Sequence, residues 1–385
     1  MRWGGAADAG FDADRLERAW AVLERTAGTE AVPCAVAAVG RGGVAIGPCA
    51  FGDAVRAPAA EREAARADTL FDLASLTKVV GTASACWALV ERGHLRLGEP
   101  VAALLPAFAV RQPGEGEDWR PSVTVRHLLT HTSGLPAHRN LRQVAGDPEE
   151  RLAAVAGTAL TAPPGERAVY SDLGFILLGR IVEEVARQPL DAACGALLFD
   201  PLGMTETRWN PGPALGARAA ATEWSEGEWA PDGRAGHLRG VVHDENARAL
   251  GGLAGHAGLF STAADLAVFA DMLRAGGAGG LGVPRRVLAP ATVAAMAEPV
   301  VIGEGDSRTR GWQGAGRASA PYGDLWSKRS FGHTGFTGTS LWIDPERDLW
   351  AVLLTNAVHM GRAVGLPAMP RLRACFHNAV VAAAD

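Results

Sequence analysis

Three short stretches hold side chains that can do nucleophilic chemistry. Residues 71–78 read FDLASLTK, with Ser75 and Lys78 three apart at the start of a strongly helical run. That spacing puts both on one helix face, so the Lys78 amine reaches the Ser75 hydroxyl. A neutral, partly desolvated amine can take the proton that a serine hydroxyl does not give up at its free pKa. The helix N-terminus favours the developing negative charge. Residues 163–179 read PPGERAVYSDLGFILLG and place Tyr170-Ser171-Asp172 before a second helical run. A phenol flanked by cations can relay a proton between nucleophile and leaving group. The same stretch also reads as a core tyrosine followed by a Ser or Asp helix cap. Lastly, FGHTGFTGTSLWIDP puts His333-Thr334-Gly335 at the entry to a hairpin. Small residues there let a strand edge approach a substrate, with N–H groups able to polarise a carbonyl.

The basic residues sharpen the first stretch. Of 37 lysines and arginines only Lys78 and Lys328 are lysines, and Tyr170 and Tyr322 are the only tyrosines. Arginine cannot lose its proton in a protein, whereas a desolvated lysine can. A lysine kept at position 78 is therefore expected to act as a neutral amine.

The elements that must position these residues follow from periodicity. Residues 12–26 space Leu16, Ala19 and Leu23 on one helical face, with Asp12 or Asp14 as the N-cap. Residues 34–40 and 44–52 read as one hairpin, residues 339–344 and 349–355 as another, and the chain closes on a helix. Strands near both ends predict one antiparallel sheet flanked by helices, an α+β arrangement. Its expected extent is 1–74 with 286–385. The intervening 75–285 is dominated by helical patterns and is expected to form an inserted, mainly helical domain. Residues 111–121, 205–236 and 303–321 lack periodicity and read as candidate lids.

Taken in order, LLTHTSGLP (128–136), PPGERAVYSDLGFILLG, AGHAGLFSTAADLAVFA (254–270) and GHTGFTGTSLWIDP (332–345) resemble the serine beta-lactamase and penicillin-binding-protein superfamily. The nearest branch holds class C beta-lactamases, D-aminopeptidases and family VIII esterases, and the resemblance spans nearly the whole chain. It implies that Ser75 is the acylated nucleophile, Lys78 its proton partner, and Tyr170 the base for Ser75 and later for the deacylating water. The N–H groups of Ser75 and Phe336 would form the oxyanion hole, with Asp172, His333, Thr334 and Gly335 around the substrate. It implies a beta-lactamase/transpeptidase-like fold, with the site between the sheet and helical domains, and no metal or organic cofactor. Two positions depart from the family. Asp172 stands where Asn is usual, and an ionised carboxylate only accepts hydrogen bonds. His333 stands where Lys is usual, and a histidine is only partly charged near neutrality. Both departures weaken the expected grip on an anionic beta-lactam and favour small esters or amides.

Composition narrows the alternatives. A formal charge of −5 offers no basic footprint for nucleic acid, and no apolar run is long enough to span a bilayer. The first twenty residues lack a signal-like apolar region, so a cytoplasmic enzyme is expected. Five cysteines without C-x-x-C spacing read as buried free thiols rather than disulfides or a zinc knot. His243, Asp244 and Glu245 are adjacent and point apart, which suits a site-lining loop better than a metal. His131 and His256 read as loop-ordering residues. The reading is an esterase forming an acyl-enzyme on Ser75. A beta-lactamase or D-peptidase is the alternative, and a non-catalytic binding or assembly member of the fold is the second.

Overall fold

The computed structural model describes residues 1–110, 118–227, 230, 233, 235–279, 285–301, 307–315 and 322–385. Helix α1 (Ala13–Thr26) starts on Asp12, whose carboxylate accepts the Arg15 N–H, and it buries Leu16, Ala19, Trp20 and Leu23. Strands β1 (Cys34–Arg41) and β2 (Val44–Val55) form the first hairpin. Gly42 and Gly43 both take positive φ in its two-residue turn, the geometry that matches the twist of paired strands. Helices α2 (Asp172–Ala186) and α3 (Ala263–Arg274) come from the middle of the chain. Strands β3 (Phe331–Thr334), β4 (Ser340–Asp344) and β5 (Leu349–Thr355) follow, and α4 (Met369–Ala384) ends the chain.

The central sheet runs β2-β1-β5-β4-β3, every neighbouring pair antiparallel, and short strands extend both edges. At the β2 edge Arg2–Trp3 pairs in parallel with Val44 and Ala45, so the sheet is mixed and not purely antiparallel. The chain makes this possible by crossing over through α1 before β1 begins.

Side chains alternate across the strands. Ala35, Ala37 and Val39 of β1, with Leu349, Ala351 and Leu353 of β5, join the core under α1 and α4. Val36 and Ala38, with Trp350, Val352 and Leu354, join the core on the other face, which includes Leu266 and Phe269 of α3. Burial on both faces explains why these strands read as unbroken apolar runs. Thus α3, from within the 75–285 stretch, covers the sheet.

The helix carrying Lys78 begins with a wide π-helical turn over Lys78–Ala83 before continuing as Ser84–Glu91. Such turns cluster at functional sites. A three-stranded sheet of Phe71–Asp72, Leu259–Ser261 and Arg208–Trp209 leads into this helix. Parts of the three candidate lids, residues 111–117, 228–229, 231–232, 234, 303–306 and 316–321, lie outside the described residues. Of their tryptophans, Trp209 and Trp312 are buried core and Trp224 is exposed. Cys34, Cys86 and Cys194 are buried free thiols, whereas Cys49 is half-buried and Cys375 is exposed on α4. No helix among the described residues is long and apolar enough to cross a membrane.

Candidate active site

Ser75 sits where the backbone is bent hard. The buried Asp72 carboxylate accepts the N–H groups of Ala74, at 2.8 Å, and His243, at 2.7 Å. Ala74 is held at φ 46°, a left-handed conformation that costs a non-glycine residue energy and here tips the chain from strand into helix. Lys78 follows one turn later, with its N–H bonded to the Ser75 carbonyl.

Lys78 is fully buried. Its Nζ donates to Ser75 Oγ at 3.0 Å and to the His256 carbonyl at 3.0 Å, and pairs with Asp172 Oδ1 at 2.7 Å. The Tyr170 hydroxyl is a further hydrogen-bond partner, and Nζ lies 5.0 Å from that ring's centroid. Burial alone would lower the amine's pKa, but Asp172 and Tyr170 outweigh it and hold Lys78 above its ordinary range. Burial likewise works against the Asp172 charge, yet Lys78 keeps that carboxyl below its usual range. The neutral amine expected from the sequence meets a carboxylate at position 172, which favours the ammonium form. The same contact gives Asp172 a partner within the site: its Oδ1 faces Lys78 while the side chain stays partly exposed.

Tyr170 is placed by residues 128–136. His131 Nδ1 accepts the Ser171 N–H at 3.0 Å, the His131 carbonyl accepts the Val169 N–H, and the His131 ring lies 4.7 Å from the Tyr170 ring. Ser171 caps α2, accepting from Gly174 N–H and donating to the Pro136 carbonyl. His256 Nε2 meets Asp244 Oδ1 at 2.9 Å while its carbonyl holds Lys78. Both histidines thus order loops, as their glycine-rich settings suggest. His243, Asp244 and Glu245 disperse to Glu223, His256 and Arg362 respectively.

The turn between β3 and β4 is stapled to the strand that leads into Ser75. Thr337 Oγ1 donates to the Asp72 carbonyl at 2.8 Å and Thr339 Oγ1 to the Leu73 carbonyl at 3.1 Å. Gly335 fits because a Cβ there would stand 2.1 Å from Thr339 Oγ1 and 2.5 Å from the Leu73 carbonyl oxygen. The Gly335 N–H is bonded to the Thr339 carbonyl, whereas the N–H groups of Ser75 and Phe336 have no partner among the described residues.

A cavity of about 370 Å³ opens here, lined by Ser75, Tyr170, Arg308, His333, Phe336 and Arg373 among others, with Thr334 and Gly335 on its wall. Burial and the Lys78 charge push His333 down to about 3, and its Nδ1 bonds the Thr334 carbonyl at 2.8 Å. It is neutral rather than partly charged. Two arginines that sequence reading missed supply the positive charge. The Arg308 guanidinium lies 5.2 Å from the Tyr170 ring centroid. Arg373, buried on α4, donates to the carbonyls of Gly335, Gly338 and Thr339. It has no carboxylate partner among the described residues, and burial lowers it to about 10. The signal for Arg373 was available: it falls on the stripe of Leu372, Phe376 and Val380, where an unpaired arginine is out of place.

The sequence profile of the family described as Beta-lactamase matches residues 20–372. The chain belongs to the beta-lactamase family of serine hydrolases. A relative from Escherichia coli (strain K12), named "Putative D-alanyl-D-alanine carboxypeptidase", is 35% identical over 309 residues, covering 76% of this chain and 70% of that one. Among solved structures, "EstCE1, a hydrolase with promiscuous acyltransferase activity" superposes with TM-score 0.75 at 24% identity, covering 95% of this chain and 98% of that one. A penicillin-binding protein homolog from Caulobacter crescentus does so with TM-score 0.72 at 23% identity, covering 96% and 99%. At these identities the two structures establish the fold, in agreement with the beta-lactamase/transpeptidase-like architecture expected from the motifs.

Proposed function

We propose that this enzyme forms an acyl-enzyme on Ser75 and removes a leaving group that carries a free carboxylate, as a D-alanyl-D-alanine carboxypeptidase does. The observation that carries this reading is Arg373, a buried cation answered among the described residues only by carbonyl oxygens, in the cavity that opens on Ser75 and is also lined by Arg308. A buried charge without a counter-ion is costly, and an anionic substrate group relieves that cost. The name of the Escherichia coli relative supports the same substrate class. In this scheme Ser75 Oγ attacks the carbonyl as its proton passes to the Tyr170 oxygen and the phenol's own proton passes to the leaving nitrogen, with the remaining N–H of the Lys78 ammonium placed against these oxygens. The N–H groups of Ser75 and Phe336 receive the oxyanion. The protonated amine leaves as the scissile C–N bond breaks, and a water then attacks the acyl carbon while its proton passes through Tyr170 to Ser75 Oγ, breaking the acyl bond and freeing Ser75. The site lies between a sheet part, 1–74 with 286–385, and a mainly helical part, 75–285.

A second reading, hydrolysis of small neutral esters, is favoured by the neutral state of His333. The deciding experiment measures D-alanine release from an N-acylated D-alanyl-D-alanine peptide by the parent and by Ser75→Ala. Release by the parent alone is the expected result. Cleavage of a short-chain aryl ester with no D-alanine release overturns the peptidase reading in favour of the ester one.

A further inference from the structure

We propose that Asp172 is a positioning residue that locks Lys78 in its ammonium form, so that Lys78 orients Ser75 and Tyr170 but never takes the Ser75 proton. This rests on the assignment of Ser75 as nucleophile. The geometry is explicit. Lys78 Nζ has the His256 carbonyl at 3.0 Å, Asp172 Oδ1 at 2.7 Å, Ser75 Oγ at 3.0 Å and the Tyr170 hydroxyl around it. Two of these groups, the carbonyl and the carboxylate, can only accept. An ammonium has three N–H donors and satisfies both acceptors with one donor left for a hydroxyl. A neutral amine has two donors, so its lone pair would take the Ser75 proton only with both N–H groups spent elsewhere and the buried Asp172 charge uncompensated.

The other groups facing Lys78 do not replace this lock. Asp244 is engaged by His256 Nε2 and by the Ala247 N–H. His131 and His333 are held neutral by burial and by the neighbouring cations. Arg308, 5.2 Å from the Tyr170 ring centroid, is a like charge that disfavours the ammonium. With Asn at 172, burial of Lys78 would no longer be offset at contact distance.

The chain's two lysines make the test direct. Lys328 is exposed, and Lys328→Arg leaves Lys78 as the only lysine. In that protein, labelled with ¹³C-lysine, the Cε resonance reports the protonation of Lys78 alone. We expect no titration below about pH 10, where an ordinary lysine begins to lose its proton. Adding Asp172→Asn should lower the midpoint by about two units, and the alkaline limb of kcat/KM should move with it. Asp172→Glu should restore the high midpoint. A Cε titration near neutrality in the Lys328→Arg protein overturns the proposal without any need for the Asn variant to fold. An unmoved midpoint in Asp172→Asn overturns it equally. Because the resonance is read without turnover, failure of the Ser75 assignment shows separately, as activity surviving in Ser75→Ala.

Discussion

On the Lys78 side of Ser75, charges are answered inside the chain: Lys78 by Asp172, while Asp244 meets Nε2 of His256, whose carbonyl also holds Lys78. On the β3 side, the buried Arg373 rests on three carbonyl oxygens and His333 is neutral. The first flank is complete before a substrate arrives, which suits groups that must hold a proton-transfer geometry through two half-reactions. The second is electrostatically incomplete and gains most from a ligand's negative charge. Within one site, internal pairing marks the machinery and its lack marks the recognition surface.

The contrast can be broken flank by flank. Ser75→Ala removes the nucleophile, and turnover should fall on the order of 10⁴-fold or more, read as product release under saturating substrate. Gly335→Ala should be next. The added Cβ collides with Thr339 Oγ1 and the Leu73 carbonyl, so Phe336 N–H shifts away from the oxyanion position. Loss of one such donor lowers kcat by about 10²-fold to 10³-fold, and KM should change far less. Comparable losses in kcat and in thermal stability would instead make the turn a folding element only.

Arg373→Met probes the incomplete flank. We expect KM for a carboxylate-bearing peptide to rise about tenfold, because a charged hydrogen bond to the substrate is lost. Turnover of a neutral ester should fall less, through the loosened carbonyls of Gly335, Gly338 and Thr339. Equal loss on both substrates would reduce Arg373 to a clamp. Arg308→Ala, which keeps Arg373 and its bonds to those carbonyls, gives a second test.

The smallest effect is in stability against pH. His333 and His377 are buried and lowered to about 3, and His359 to about 4, from an ordinary 6.5. Each is neutral when folded and binds a proton more readily when unfolded. Their contribution is fully present above about pH 6.5 and is lost as the pH falls toward 4 and then 3. Melting temperature should decline across that window. His377→Gln, remote from Ser75, should flatten part of the slope, and a slope unchanged by it would count against the buried neutral ring.

Much of the architecture was legible because it is written in short-range patterns. Apolar runs separated by short turns gave the two hairpins, and an Asp12-capped apolar stripe gave α1. The parallel pairing of Arg2–Trp3 was not legible, since two residues carry no periodicity and the pairing is made by tertiary position alone. In the site, Ser75, Lys78 and Tyr170 were visible as motifs, and the structure brings them together. The contact that bears on the protonation of Lys78 was not legible, because it comes from a residue 94 positions away in the chain, at 2.7 Å in space. Arg308 and Arg373 were missed because arginines are common in this chain; the apolar stripe around Arg373 was a signal, but its burial without a carboxylate partner among the described residues is visible only in the fold.

The most direct test of the division between the flanks is a single ratio. It compares kcat/KM for an N-acylated D-alanyl-D-alanine peptide with that for the same peptide capped as its C-terminal amide, in the parent and in Arg308→Ala. The account predicts that the parent prefers the free acid by at least about tenfold, roughly 1.4 kcal/mol of transition-state stabilisation, and that the variant loses most of that preference. A parent ratio near one would contradict it, because the β3 flank would then read no substrate charge.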